Sequence, residues 1–123
     1  MIRILIIDDE PGISDLLHEA LTRVGCSVAT ASSGWQGLQH LKHTDFDVVV
    51  TDMCMPGLDG AGIVHHVRQS NRPDTPVIGI SGTPRLLEEA KCDAVLPKPF
   101  PLQDLIENVK QLTGTGFPVA LAH

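Results

Sequence analysis

The sequence predicts a doubly wound α/β domain, (βα)5, with five parallel strands in the order 2-1-3-4-5. Three observations lead there. Short apolar runs rich in β-branched residues recur at 2–7, 27–31, 47–51, 77–81 and 94–97. Between them, apolar residues repeat with helical spacing. The runs are apolar almost throughout, as strands are when helices cover both faces of a parallel sheet. For five strands the order 2-1-3-4-5 is common, and it opens a ligand crevice beyond the carboxyl ends of the first and third strands.

After the first run, Ile13, Leu16, Leu17, Ala20, Leu21 and Val24 repeat on one helical face, with Pro11 where a helix begins and Gly25 where it ends. The second helix, over 35–41, places Trp35, Leu38 and Leu41 on one face. Gly34 and Gly37 weaken it by about 1 kcal/mol each relative to Ala. Asp59 is a natural N-cap for a third helix carrying Ile63, Val64 and Val67. A last helix from Pro101 turns Leu102, Leu105, Ile106, Val109 and Leu112 inward. The helix before it is short: sixteen residues separate Ser81 from Lys98, which leaves room for about two turns once the loop and fifth strand are subtracted.

The length of 123 residues suits one domain, with no room for a second folded module. The folded unit is expected over 2–113, with 114–123 as a tail or the start of a linker. Nine Lys and Arg against 15 Asp and Glu give a net charge of −6. That charge repels nucleic-acid phosphates and anionic lipid, so protein partners are expected rather than direct nucleic-acid or membrane binding. No signal pattern or long apolar run is present, which predicts a soluble, cytoplasmic protein. Cys26, Cys54 and Cys92 are odd in number and widely spaced, so they read as reduced, small packing residues.

The strand ends carry the chemistry. The first strand ends in Asp8 and Asp9 and the third reaches Asp52, so the fold gathers three carboxylates in one crevice. Like charges this close need protonation or a cation, and an all-oxygen donor set suits Mg²⁺, or Mn²⁺ in its place, rather than zinc. The fourth strand ends in Ser81 and Gly82, a hydroxyl with space around it. The fifth ends in Lys98, a positive charge for an incoming phosphoryl oxygen.

These residues lie in four motifs: Ile4-Leu-Ile-Ile-Asp-Asp-Glu10, Asp52-Met-Cys-Met-Pro-Gly-Leu-Asp-Gly60, Ile80-Ser-Gly82 and Leu96-Pro-Lys-Pro-Phe100. In that order they resemble the response regulator receiver family, across residues 2–113; a chemotaxis member is the standing example of the 2-1-3-4-5 order. The resemblance implies a phosphoacceptor of two-component signalling rather than an ordinary enzyme. Asp52 would take a phosphoryl group from a phosphohistidine on a histidine kinase or phosphotransfer protein, or from acetyl phosphate. By the same resemblance, Asp9, Asp52 and the backbone carbonyl of Cys54 hold Mg²⁺, with Asp8 acting through water. Ser81 is the hydroxyl that follows the phosphoryl group, Lys98 its counter-charge, Cys54 and Thr83 tune hydrolysis, and Lys98-Pro99 is cis. The output would be a downstream protein or an output domain on a longer chain, such as a DNA-binding regulator or a hybrid kinase.

Two features depart from the family. Val95 stands where an aromatic switch residue is usual, in a chain with no Tyr, and the fourth helix is short. The activation signal is therefore expected to leave through Ser81 and the loop from Gly82 to Arg85. A metal-dependent phosphatase is a remote alternative. So is a hydrolase built on Gly79-Ile-Ser-Gly-Thr83, but that near-match to a nucleophile elbow lacks the last Gly, and His18, His40, His43, His65 and His66 fall in helical stretches away from strand ends.

Overall fold

The computed structural model describes residues 1–82 and 91–114. Five strands, β1 (Arg3–Ile7), β2 (Ser27–Ala31), β3 (Val48–Asp52), β4 (Val77–Ser81) and β5 (Ala94–Pro97), form one parallel sheet in the order β2-β1-β3-β4-β5, as the sequence predicts. The described helices are α1 (Pro11–Arg23), α2 (Gly34–His43), α3 (Gly60–Arg68) and α4 (Leu102–Thr113). The short helix expected between Ser81 and Lys98 falls mainly on residues 83–90, outside the described residues. Thr83, the outgoing loop to Arg85 and the tail from 115 lie outside them too.

Strand side chains alternate between faces, and the two cores follow that period. Ile4, Ile6, Val48, Val50, Ile78 and Ile80 meet Leu17 and Leu21 of α1 and Leu105 and Val109 of α4. Leu5, Ile7, Val49 and Val77 meet Leu38 of α2 and Ile63, Val64 and Val67 of α3. Each large apolar side chain buried this way contributes roughly 1.5–3 kcal/mol relative to exposure. The sheet is thus clamped from both sides, and its carboxyl edge is a rigid rim on which functional groups can be mounted.

Helix boundaries follow their chemistry. The Asp59 side chain accepts a hydrogen bond from the Gly62 backbone N–H at 3.0 Å and caps α3 as expected. Ser33 does the same for α2 through Gln36 N–H at 3.1 Å. Gly25 follows α1 at φ +92°, a left-handed conformation that Gly adopts without steric cost.

Two facing expectations fail. Trp35 is 61% exposed, while Gly34, Gly37 and Leu38 form the buried face of α2. A Cβ on Gly37 would lie 2.5 Å from Ile7 Cδ1, and one on Gly34 would collide with the Leu58 carbonyl oxygen. The two glycines are therefore the contact surface of α2: they let it close onto β1 and the loop after β3, and that docking turns Trp35 to solvent. Leu16 is 50% exposed, because α1 buries the narrower seam of Ser14, Leu17 and Leu21.

Candidate functional site

Strand register assembles the site. Ile7 pairs with Thr51 across β1 and β3, so the next residues, Asp8 and Asp52, stand side by side. Asp52 pairs with Ile80, and Ser81 with Pro97, which brings Ser81 and Lys98 to the same edge. The Lys98 backbone N–H donates to the Ser81 carbonyl at 2.9 Å. Asp8, Asp9, Asp52, Ser81 and Lys98, singled out from strand ends, thus meet at one rim. The Lys98-Pro99 bond is cis, as the resemblance implies.

Carboxylate oxygens of Asp8, Asp9, Glu10 and Asp52 lie within 4.8 Å of one another; Asp8 and Asp52 are buried, while Asp9 and Glu10 are exposed. Glu10 is the member that sequence reasoning did not single out. Its signal was adjacency to the Asp pair. The Cys54 backbone N–H donates to Asp52 Oδ1 at 3.1 Å, and Lys98 Nζ lies 3.4 Å from Asp52 Oδ2. Asp52 therefore has one oxygen fixed by the backbone and the other turned to a positive charge. Burial works against the Lys98 ammonium, but Asp52, Asp8 and Glu10 together outweigh it and raise its pKa. Lys98 is held as a cation.

Asp8 Oδ1 accepts the Glu10 backbone N–H at 2.8 Å, whereas its buried Oδ2 has no hydrogen-bond partner. An orphaned buried oxygen in an all-carboxylate cluster fits a hard cation with its waters, since these supply the positive charge and donors such a group lacks. Burial first, then Asp52 and Glu10, raises the Asp8 pKa, while the Glu10 N–H and Lys98 pull it back. A raised folded pKa means that the fold favours the neutral acid. This stabilisation is full below the ordinary carboxylate pKa and is lost as pH climbs through the folded value. Asp8→Asn is therefore expected to stabilise the metal-free protein at neutral pH, with the gain shrinking as pH falls to about 4. Urea unfolding in a chelator across that range checks it; a gain that grows toward acid contradicts the sign.

The three thiols are free, but not alike. Cys26 is buried and its pKa is pushed up to about 11, chiefly by burial; Cys92 is half-buried. Cys54 is exposed beside Asp52, which corrects its reading as a packing residue: it stands past the end of β3 with its N–H held by Asp52, while its neighbours Met53 and Met55 take the buried positions. An aromatic disulfide reagent at pH 8 is expected to modify Cys54 first and Cys26 only on unfolding, as mass mapping over time would show.

His18 lies on α1, His40 and His43 on α2, and His65 and His66 on α3, and none belongs to the acidic cluster. The described residues of the rim therefore offer no histidine base for a hydrolase triad. Among the described residues, no helix is long and apolar enough to cross a membrane.

Comparison with known proteins follows the same lines. The profile of the response regulator receiver domain matches residues 4–110. The transcriptional regulatory protein TcrA of Mycobacterium tuberculosis is 32% identical over 120 residues, covering 94% of this chain and 47% of TcrA. The response regulator MprA of a Mycobacterium species is 32% identical over 116 residues, covering 90% of this chain and 50% of MprA. The chain thus spans about half the length of the curated relatives it matches. Among solved structures, the chemotaxis protein CheY4 of Vibrio cholerae superposes with a TM-score of 0.85 at 26% identity, over 91% of this chain and 98% of that one. The response regulator TrrA of Thermotoga maritima, solved in complex with Mg²⁺ and BeF, gives 0.81 at 33% identity, over 91% and 99%.

Proposed function

This chain belongs to the response regulator receiver domain family, and from that premise we propose that it stores a signal as a phosphoryl group on Asp52. The observation that carries the reading is the convergence on Asp52 of a backbone N–H, a lysine ammonium and a carboxylate cluster with an orphaned oxygen. The Mg²⁺ and BeF bound by TrrA support it by similarity.

In this reading Asp9, Asp52 and the Cys54 carbonyl hold Mg²⁺, or Mn²⁺ in its place, with Asp8 acting through water. The cation, when bound, offsets the charge of the carboxylates and of the phosphoryl oxygens. Asp52 Oδ2 attacks phosphorus in line. The bond from phosphorus to the donor breaks, and its electron pair leaves with the imidazole of a phosphohistidine or the acetate of acetyl phosphate. Cys54 N–H keeps the other oxygen of Asp52 in place, so the attacking atom does not rotate away. Lys98 pairs with a phosphoryl oxygen, and Ser81 donates its hydroxyl to another. Later hydrolysis of the acyl phosphate resets the domain, with Cys54 and Thr83 shaping water access.

The protein donor is a sensor histidine kinase or a phosphotransfer protein. The readout is a downstream protein or an output domain on a longer chain. TcrA and MprA, of which this chain spans about half, support an output of the second kind by similarity, and a charge of −6 disfavours DNA contact by this domain itself. We place the domain in the cytoplasm, where such kinases present their phosphohistidine.

The test is incubation with acetyl phosphate and Mg²⁺, followed by intact mass and peptide mapping. One added phosphoryl group, mapped to Asp52 and lost with a chelator present during the reaction, is expected. Modification elsewhere, or at Asp52 equally without a divalent ion, would overturn the reading.

A further inference from the structure

Glu10 stands at the N-cap of α1, yet its side chain makes no capping hydrogen bond. Glu is not among the side chains that cap well, and here it turns to Lys98: Nζ lies 3.4 Å from Glu10 Oε1 and 3.4 Å from Asp52 Oδ2. A committed charge-assisted hydrogen bond is about 2.7–2.9 Å long. The ammonium is therefore shared equally between two carboxylates and fully bonded to neither. The partners differ in setting: the Glu10 side chain is 60% exposed and that of Asp52 is 5% exposed. Glu10 can swing into water at little cost, whereas Asp52 cannot.

Resting on the phosphoacceptor role of Asp52, we propose that Glu10 is a positioning residue that competes for Lys98, so that phosphoryl transfer requires the ammonium to leave Glu10 for a phosphoryl oxygen. Glu10 thereby sets how readily the domain accepts a phosphoryl group. A donor brings negative oxygens to the rim, and among the described residues Lys98 is the cation paired with Asp52. While Glu10 holds part of that charge, less of it is available to the transferring group. Removing the Glu10 charge leaves Asp52 as the carboxylate in direct contact with Lys98, with Asp8 acting on it through space, and the ammonium then moves to an incoming oxygen without breaking a second direct ion pair. A partly exposed pair of this kind is worth little in water, so the device tunes the rate and does not switch it off.

The experiment compares phosphorylation rates with acetyl phosphate at saturating Mg²⁺, read by intact mass. Glu10→Gln keeps the shape and removes the charge, and is expected to react about three- to ten-fold faster than wild type. Glu10→Asp, which keeps the charge on a shorter arm, should fall between. Glu107→Gln makes the same change in net charge out on α4, where Glu107 lies 3.8 Å from Lys110, and should match wild type. In a Lys98→Met background the Glu10→Gln acceleration should disappear, because there is no ammonium left to release. Equal rates for Glu10→Gln and wild type, an equal gain in Glu107→Gln, or a gain that persists without Lys98 would each overturn the competition. In all three cases wild type still acquires its phosphoryl group on Asp52; if it does not, the phosphoacceptor reading itself has failed.

Discussion

Asp9→Ala is expected to slow Mg²⁺-dependent phosphorylation of Asp52 by about a hundredfold while leaving the domain folded. Asp9 lies just past the end of β1, is exposed, and takes no part in either core, so its removal opens no cavity. Its carboxylate oxygen is one of four within 4.8 Å, and a hard cation needs several such oxygens to offset the loss of its own water. Removing one leaves a weaker site and less charge to meet the phosphoryl oxygens. It also relieves repulsion within the cluster, so urea unfolding in a chelator should show stability equal to wild type or higher. Raising Mg²⁺ should restore part of the rate. A variant that reacts at the wild-type rate in low Mg²⁺ would remove Asp9 from the metal site, whereas one that is unfolded would show a structural role.

Gly60→Ala is expected to cost about 3 kcal/mol of stability and to impair Asp52 as well. Gly60 is the first residue of α3, and a Cβ there would lie 2.7 Å from Met53 Cα and 2.9 Å from the Asp52 carbonyl oxygen, besides striking the Met53 sulfur. Backbone, unlike a flexible side-chain tip, cannot step aside. Either α3 lifts from the sheet or the chain just after β3 shifts, and the second moves Asp52 relative to Cys54 N–H and Lys98. Gly12→Ala is the contrasting case. Nothing lies within 4 Å of a Cβ on Gly12 in α1, so replacing Gly in that helix should be neutral or stabilising by about 0.5 kcal/mol. Urea midpoints for the two variants, with the phosphorylation rate of Gly60→Ala, check the pair. Equal midpoints would mean that the close approach of α3 is not required.

Much of the rim was legible in the sequence because its information is local. Apolar runs of strand length separated by helical periodicity give a covered parallel sheet, and such a sheet has its crevice at the carboxyl ends. Asp8, Asp9, Asp52, Ser81 and Lys98 could therefore be picked out by position along their own strands. The departures share a different cause. Trp35 carries the right spacing for a buried helix face, but α2 is rotated by contacts that Gly34 and Gly37 make with Leu58 and Ile7, far away in sequence. Leu16 matches the α1 period, but the width of the buried seam depends on what packs against it. Cys54 reads as a small packing residue, but its neighbours Met53 and Met55 take the buried positions and leave it exposed. Glu10 looks like one more acidic residue beside a pair, and only register brings Lys98, 88 residues away, between it and Asp52. The sequence by itself determined which residues stand at strand ends, since periodicity is written into each segment. Tertiary structure alone decided which way the helices turned and which charges meet, because both depend on distances between segments that no single segment encodes.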